Sequence, residues 1–144
     1  MSRLRLAILL LGIAGLSQSQ TKTHGVVRPL SDVKFDPDDD VKCLASTVES
    51  GDPAKGPSTI ILKAPPNCLV PWHYHTAEEQ LIVVQGNVRT EMEGMSPRAL
   101  GPAGFAMMPS KAKHQFSCRS KTACVMFVAF DRPYDIFWVK DKRQ

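Results

Sequence analysis

Several patterns are scarce in this sequence, and each scarcity removes a class of protein. No Cys-x-x-Cys pair occurs among the four cysteines, which excludes a tetrathiolate zinc site. Beyond residue 20 no segment keeps a helical period, so a fold of alternating strands and helices is not expected. There is no internal repeat and no low-complexity tract. Basic residues form no stripe with interleaved aromatics, and nucleic acid is therefore not an expected partner. The long apolar run LAILLLGIAGL, residues 6–16, counts only 11 residues, well short of the roughly 20 that a bilayer core requires.

That short run carries its own meaning. It follows the basic MSRLR and precedes SQSQ, with Ser17 and Ser19 at the −3 and −1 spacing that a signal peptidase reads. Residues 1–19 are expected to be a signal peptide, and no cysteine ends the run to take a lipid. The expectation is a periplasmic or secreted protein with no membrane attachment after cleavage. Loss of Arg3 and Arg5, with no acids, lowers the formal charge from +4 to +2. An oxidising compartment favours disulfides, and four cysteines allow three pairings. A Cys118–Cys124 bond would close a short hairpin around RSKTA, and Cys43 with Cys68 is the pair it leaves.

What remains is globular: 144 residues, 22% charged and 43% hydrophobic, bound one domain with a core. Residues 20–40 are polar, end in DPDDD, and read as an extended arm or an edge. Residues 41–144 read as one β domain. STIILKA (58–64), QLIVVQ (80–85), VRTEM (88–92), HQFSC (114–118) and ACVMFVAF (123–130) are strand-like runs separated by Gly/Pro turn chemistry. About eight to ten such strands point to an all-β sandwich or barrel.

Histidine is as sparse as the other markers: four in the chain, three of them in two short segments. In PWHYHTAEEQLIVVQG, residues 71–86, His73 and His75 share one strand face while Trp72 and Tyr74 share the other. Glu79 has the parity of the histidines. A turn between Thr76 and Glu78 would return its carboxylate to the same interior point. His114 opens a later strand; paired beside the first, it would complete three imidazoles and one carboxylate, a donor set for a divalent transition metal.

This spacing resembles the cupin superfamily. Its first motif, G-x5-H-x-H-x3,4-E-x6-G, is matched by His73, His75, Glu79 and Gly86, with Asn67 in the first glycine slot. Its second, G-x5-P-x-G-x2-H-x3-N, is matched by Pro109 and His114. Ala103 and Lys111 stand in its glycine slots, and Cys118 replaces its asparagine. The resemblance, closest to small exported single-domain bacterial members, implies a jelly-roll β-barrel (a double-stranded β-helix). It further implies one Fe, Mn, Cu, Ni or Zn ion on His73, His75, Glu79 and His114. A homodimer through the sheets is a partner state of such proteins, although no residue marks its interface.

Phe116, Cys118, Met92, Met126, Val128 and Phe130 are the expected apolar lining around the ion, suited to a small organic ligand. The leading expectation is a mononuclear metal-dependent oxygenase, a dioxygenase type, acting on an aromatic or phenolic molecule. Glu79 would double as general base, and a second acid or base is hard to name because Tyr74 and Glu78 have the outward parity. A non-catalytic binding or sensing module and a structural zinc site are the alternatives.

Overall fold

The computed structural model describes residues 25–140, and the expected signal peptide lies outside them. The alternating runs become strands, eleven among the described residues, with one 3-10 turn at Leu30–Asp32. In chain order they are β1 (Asp36–Pro37), β2 (Ala45–Gly51), β3 (Ser58–Ala64), β4 (Leu69–Tyr74), β5 (Glu79–Gln85) and β6 (Val88–Met92). Then follow β7 (Arg98–Leu100), β8 (Phe105–Met108), β9 (His114–Cys118), β10 (Cys124–Phe130) and β11 (Phe137–Trp138). The excess over eight to ten comes from β1 and β11, each two residues long and too short to show a period.

Two sheets form, in the orders β1-β2-β3-β10-β5-β8 and β11-β4-β9-β6-β7. Every pairing is antiparallel. This is the expected all-β jelly-roll barrel. Period-two alternation explains how each strand serves it: β5 turns Glu79, Leu81 and Val83 inward and Gln80, Ile82 and Val84 outward. Met126 and Val128 of β10, with Val83 and Val88, are fully enclosed between the sheets, each such side chain contributing about 1.5–3 kcal/mol.

One strand breaks the alternation. Val70 and His73 of β4 have opposite parity, yet both are buried. The register against β9 shifts between them, and this bulge places both side chains inside. Pro71 sits in the bulge, where its missing N–H removes no ladder bond.

Turn conformation accounts for the substituted glycine slots. Asn67, Ala103 and Lys111 are the described non-glycine residues with positive φ, at 64°, 65° and 65°. The fold keeps the left-handed turns at those slots although glycine is gone. Gly86 (φ 85°) remains glycine for a second reason: a Cβ there would lie 2.9 Å from Cys124 Sγ. That sulfur belongs to the Cys118–Cys124 disulfide, which joins β9 to β10, and Cys43–Cys68 is the other bridge. The latter ties the segment before β2 to the start of β4.

Lys111→Gly should relieve a left-handed Cβ at the cost of a looser unfolded chain. A net gain of about 0.5–1 kcal/mol in unfolding free energy is expected, measured by urea denaturation. A loss of stability would contradict the strained-turn assignment.

Candidate metal centre

The site lies between the sheets, and three strands build it. β4 and β9 pair so that His73 stands opposite His114. β5 contributes Glu79 from the facing sheet, and His75 sits just past the end of β4, before the bend at Thr76 and Ala77. The expected turn therefore exists, and it returns Glu79 to the histidines. All four residues are buried, and one donor atom from each lies within 4.8 Å of all the others. His114 Nε2 is 3.1 Å from Glu79 Oε2, and His75 Nε2 is 3.3 Å from the same oxygen. Adjacent ligands about 2.1 Å from one ion stand about 3.0 Å apart, so these separations suit a shared centre.

Ring orientation supplies the stronger fit. His73 Nδ1 donates to the Pro71 carbonyl at 2.6 Å, and His114 Nδ1 to the Ala112 carbonyl at 2.8 Å. His75 Nδ1 donates to the carbonyl of Asp135. A carbonyl only accepts, so all three rings carry a proton on Nδ1, and any proton on Nε2 is the one a metal ion would displace. Nε2 is thereby the inward, coordinating atom in each case, an arrangement typical of metal-bound histidine. The set of three imidazoles and one carboxylate fits a divalent metal ion.

The electrostatics agree. Burial opposes the charge on Glu79, but the hydrogen bonds from His114 and His75 outweigh it and hold the carboxyl down, at about 2. Burial, reinforced by the neighbouring His114, lowers His73 to about 4, so this ring is a neutral donor at physiological pH. Burial also pulls on His75, but its hydrogen bond to Glu79 and that carboxylate's charge prevail and raise it above its ordinary value. A metal ion would take the place of the proton between His75 and Glu79.

Above the centre opens a cavity of about 300 Å³. Phe116, Val128 and Phe130 line it as expected, but Cys118, Met92 and Met126 do not. Cys118 is held in its disulfide at the far end of β9, and Met126 lies deeper in the core, one inward position below Val128. Met92 lines a separate groove with Met95 and Phe105. Tyr74 faces away, stacked on Phe137 with ring centroids 5.0 Å apart.

Five contributing residues escaped the sequence reading. Asp38, Asp39 and Asp40, in the DPDDD stretch read as an arm or edge, line the cavity, and so does Tyr134. Tyr134 packs 5.3 Å from the His75 ring and donates its hydroxyl to Asp40 Oδ2 at 3.2 Å. Burial, together with Asp40 and Asp38, pushes its phenol well above the usual tyrosine range. It is the second proton-bearing group that the sequence did not name. Asp135 accepts hydrogen bonds from the amide and hydroxyl of Thr76, which seats its own carbonyl on His75. No local pattern marks Tyr134 and Asp135, because their partners Asp40, Thr76 and His75 lie dozens of positions away.

Residues 60–130 match the cupin domain family. The chain carries a cupin domain. No curated protein matches the chain. Among solved structures, this cupin resembles the polyketide cyclase RemF from Streptomyces resistomycificus, at 19% identity and TM-score 0.69 over 83% of this chain and 89% of that one. It resembles KdgF from Halomonas sp. at 18% identity and TM-score 0.60, over 72% and 93% of the two chains. The DMSP lyase DddQ from Ruegeria pomeroyi DSS-3 is similar at 20% identity and TM-score 0.62, over 72% of this chain and 55% of that one. The chain thus spans about half the length of the lyase. At these identities the likeness establishes the fold.

Asp135→Ala should release the Thr76 anchor and lower metal affinity about 10- to 100-fold with the four ligands intact, as read by competition with a chromophoric chelator. Unchanged affinity would show that the Asp135 side chain does not orient His75. A second outcome concerns pH. His75 is raised, so metal must displace its proton; affinity should fall as pH drops from 8 to 5, by up to about tenfold per unit where that one proton is displaced. Equilibrium dialysis at fixed ionic strength measures this, and a flat profile would contradict the assignment.

Proposed function

We propose that this cupin is a metal-dependent enzyme, an oxygenase acting on a small aromatic or phenolic molecule. The observation that carries the reading is the cavity of about 300 Å³ that reaches His73, His75 and Glu79 of the buried four-residue cluster and whose walls include aromatic rings. Its size and mixed lining suit a ligand of one ring.

His73, His75, His114 and Glu79 would hold the ion, which when bound supplies a Lewis acid and open positions for substrate and dioxygen. The protein's own groups do the rest. Glu79, ionised at neutral pH, can accept the substrate's hydroxyl proton. Tyr134 stays protonated and can donate a hydrogen bond. Phe116 and Phe130 exclude water from the ring's position. Two groups able to move or hold a proton also suit acid–base chemistry without oxygen, and a binding or sensing module without turnover is the remaining reading.

Two disulfides among the described residues support an oxidising compartment, and a periplasmic or secreted location belongs to the same proposal. No helix among the described residues is long and apolar enough to cross a membrane.

Anaerobic reconstitution with iron, manganese, copper, nickel or zinc, followed by oxygen-uptake assays on a panel of phenols, tests the reading. One redox metal is expected to give uptake, and His114→Ala should return it to background. Absence of uptake across the panel, with ligand-induced thermal shifts retained, would replace the oxygenase with a binding module.

A further inference from the structure

We propose that the cavity selects a phenolic amine, its hydroxyl directed to the metal centre and its ammonium group held at a rim formed by Asp38, Asp39 and Asp40. The inference rests on the cavity being a substrate site, and it fixes the charge of that substrate.

The charge inventory of the cavity is one-sided. Asp38, Asp39 and Asp40 line the same space as His73, His75 and Glu79, and no lysine or arginine joins them among the described residues. With a divalent ion bound, four carboxylates face two positive charges. An anionic ligand meets net repulsion there, whereas an ammonium group meets attraction. Each carboxylate about 4 Å from a charged group in water-like surroundings changes affinity by roughly fivefold.

The rim is held in place. Asp38 Oδ1 accepts from the amides of Asp40 and Val41 at 3.1 and 2.9 Å. Cys43–Cys68 pins the segment just beyond it, and Tyr134 holds Asp40. Asp39 is exposed and its carboxylate makes no hydrogen bond among the described residues, which leaves it available to a ligand.

One aromatic side chain separates the two ends of the site. Tyr134 packs against the His75 ring at 5.3 Å and against Phe130 at 5.2 Å, while its hydroxyl reaches Asp40. Aromatic faces beside carboxylates suit a cation attached to a ring. The floor is equally prepared. His73 is only 3% exposed; its Nδ1 is engaged by Pro71, and its Nε2 has no hydrogen-bond partner among the described residues. It lines this same cavity.

The test uses the zinc-loaded protein, which binds without redox turnover. Calorimetric affinities are measured for tyramine, 4-methylphenol and 4-hydroxyphenylacetate. The expected order is amine, then neutral phenol, then carboxylate, with amine and carboxylate about tenfold or more apart at low salt and closer at high salt. Asp39→Asn combined with Asp40→Asn should compress the series to about twofold, with zinc content confirming the fold. Equal affinities, tightest binding of the carboxylate, or binding of none of the three would overturn the proposal. A preserved amine preference with no oxygen uptake for any redox metal would remove the oxygenase reading and leave the selection by the rim standing.

Discussion

Three backbone carbonyls, those of Pro71, Asp135 and Ala112, grip the Nδ1 atoms of His73, His75 and His114, and much of the structure serves that grip. Imidazole rings buried without partners would destabilise a small barrel. Tied at one nitrogen, His75 and His114 turn the other toward Glu79, so these desolvated polar groups satisfy one another, while His73 turns its own Nε2 to the shared centre. The centre needs both sheets, because β4 and β9 place two histidines face to face while β5 brings the carboxylate from the opposite layer.

The residues that complete the site come from its sequence extremes. The segment around Asp38–Asp40 lines the cavity, and Tyr134, hydrogen-bonded to Asp40, begins a strap that runs on to Val139. That strap pairs with β4 at Tyr74 and His73, stacks Phe137 on Tyr74, and donates from the Val139 amide to the Trp72 carbonyl. The left-handed turn at Lys111 joins in, since its amide donates to the His75 carbonyl at 2.7 Å. Strained or short elements thus cluster where the centre is assembled, and the regular strands carry the core.

Much of the fold was legible because strands write themselves with period two. Glu79, Leu81 and Val83 alternate with outward residues in the chain as they do in space. The parity of His73, His75 and Glu79 held for the same reason, and the slots occupied by Asn67, Ala103 and Lys111 retained their left-handed turns. The bulge in β4 was not legible: it puts Val70 on the side of His73, which alternation alone denies. The lining was legible only in part: Phe116, Val128 and Phe130 reach the cavity, but Met92 and Met126 have suitable parity and stand at the wrong place along the barrel.

The sequence by itself determined the class of fold and the four donor residues, because alternation and motif spacing are local quantities. DPDDD, read as an arm or an edge, does supply the edge strand β1; tertiary structure alone decided that its aspartates line the cavity, that Tyr134 joins the site, and that Asp135 orients His75. Such contacts join residues 59 to 94 positions apart. Their geometry is set by how two sheets close on each other, a relation that no local pattern encodes.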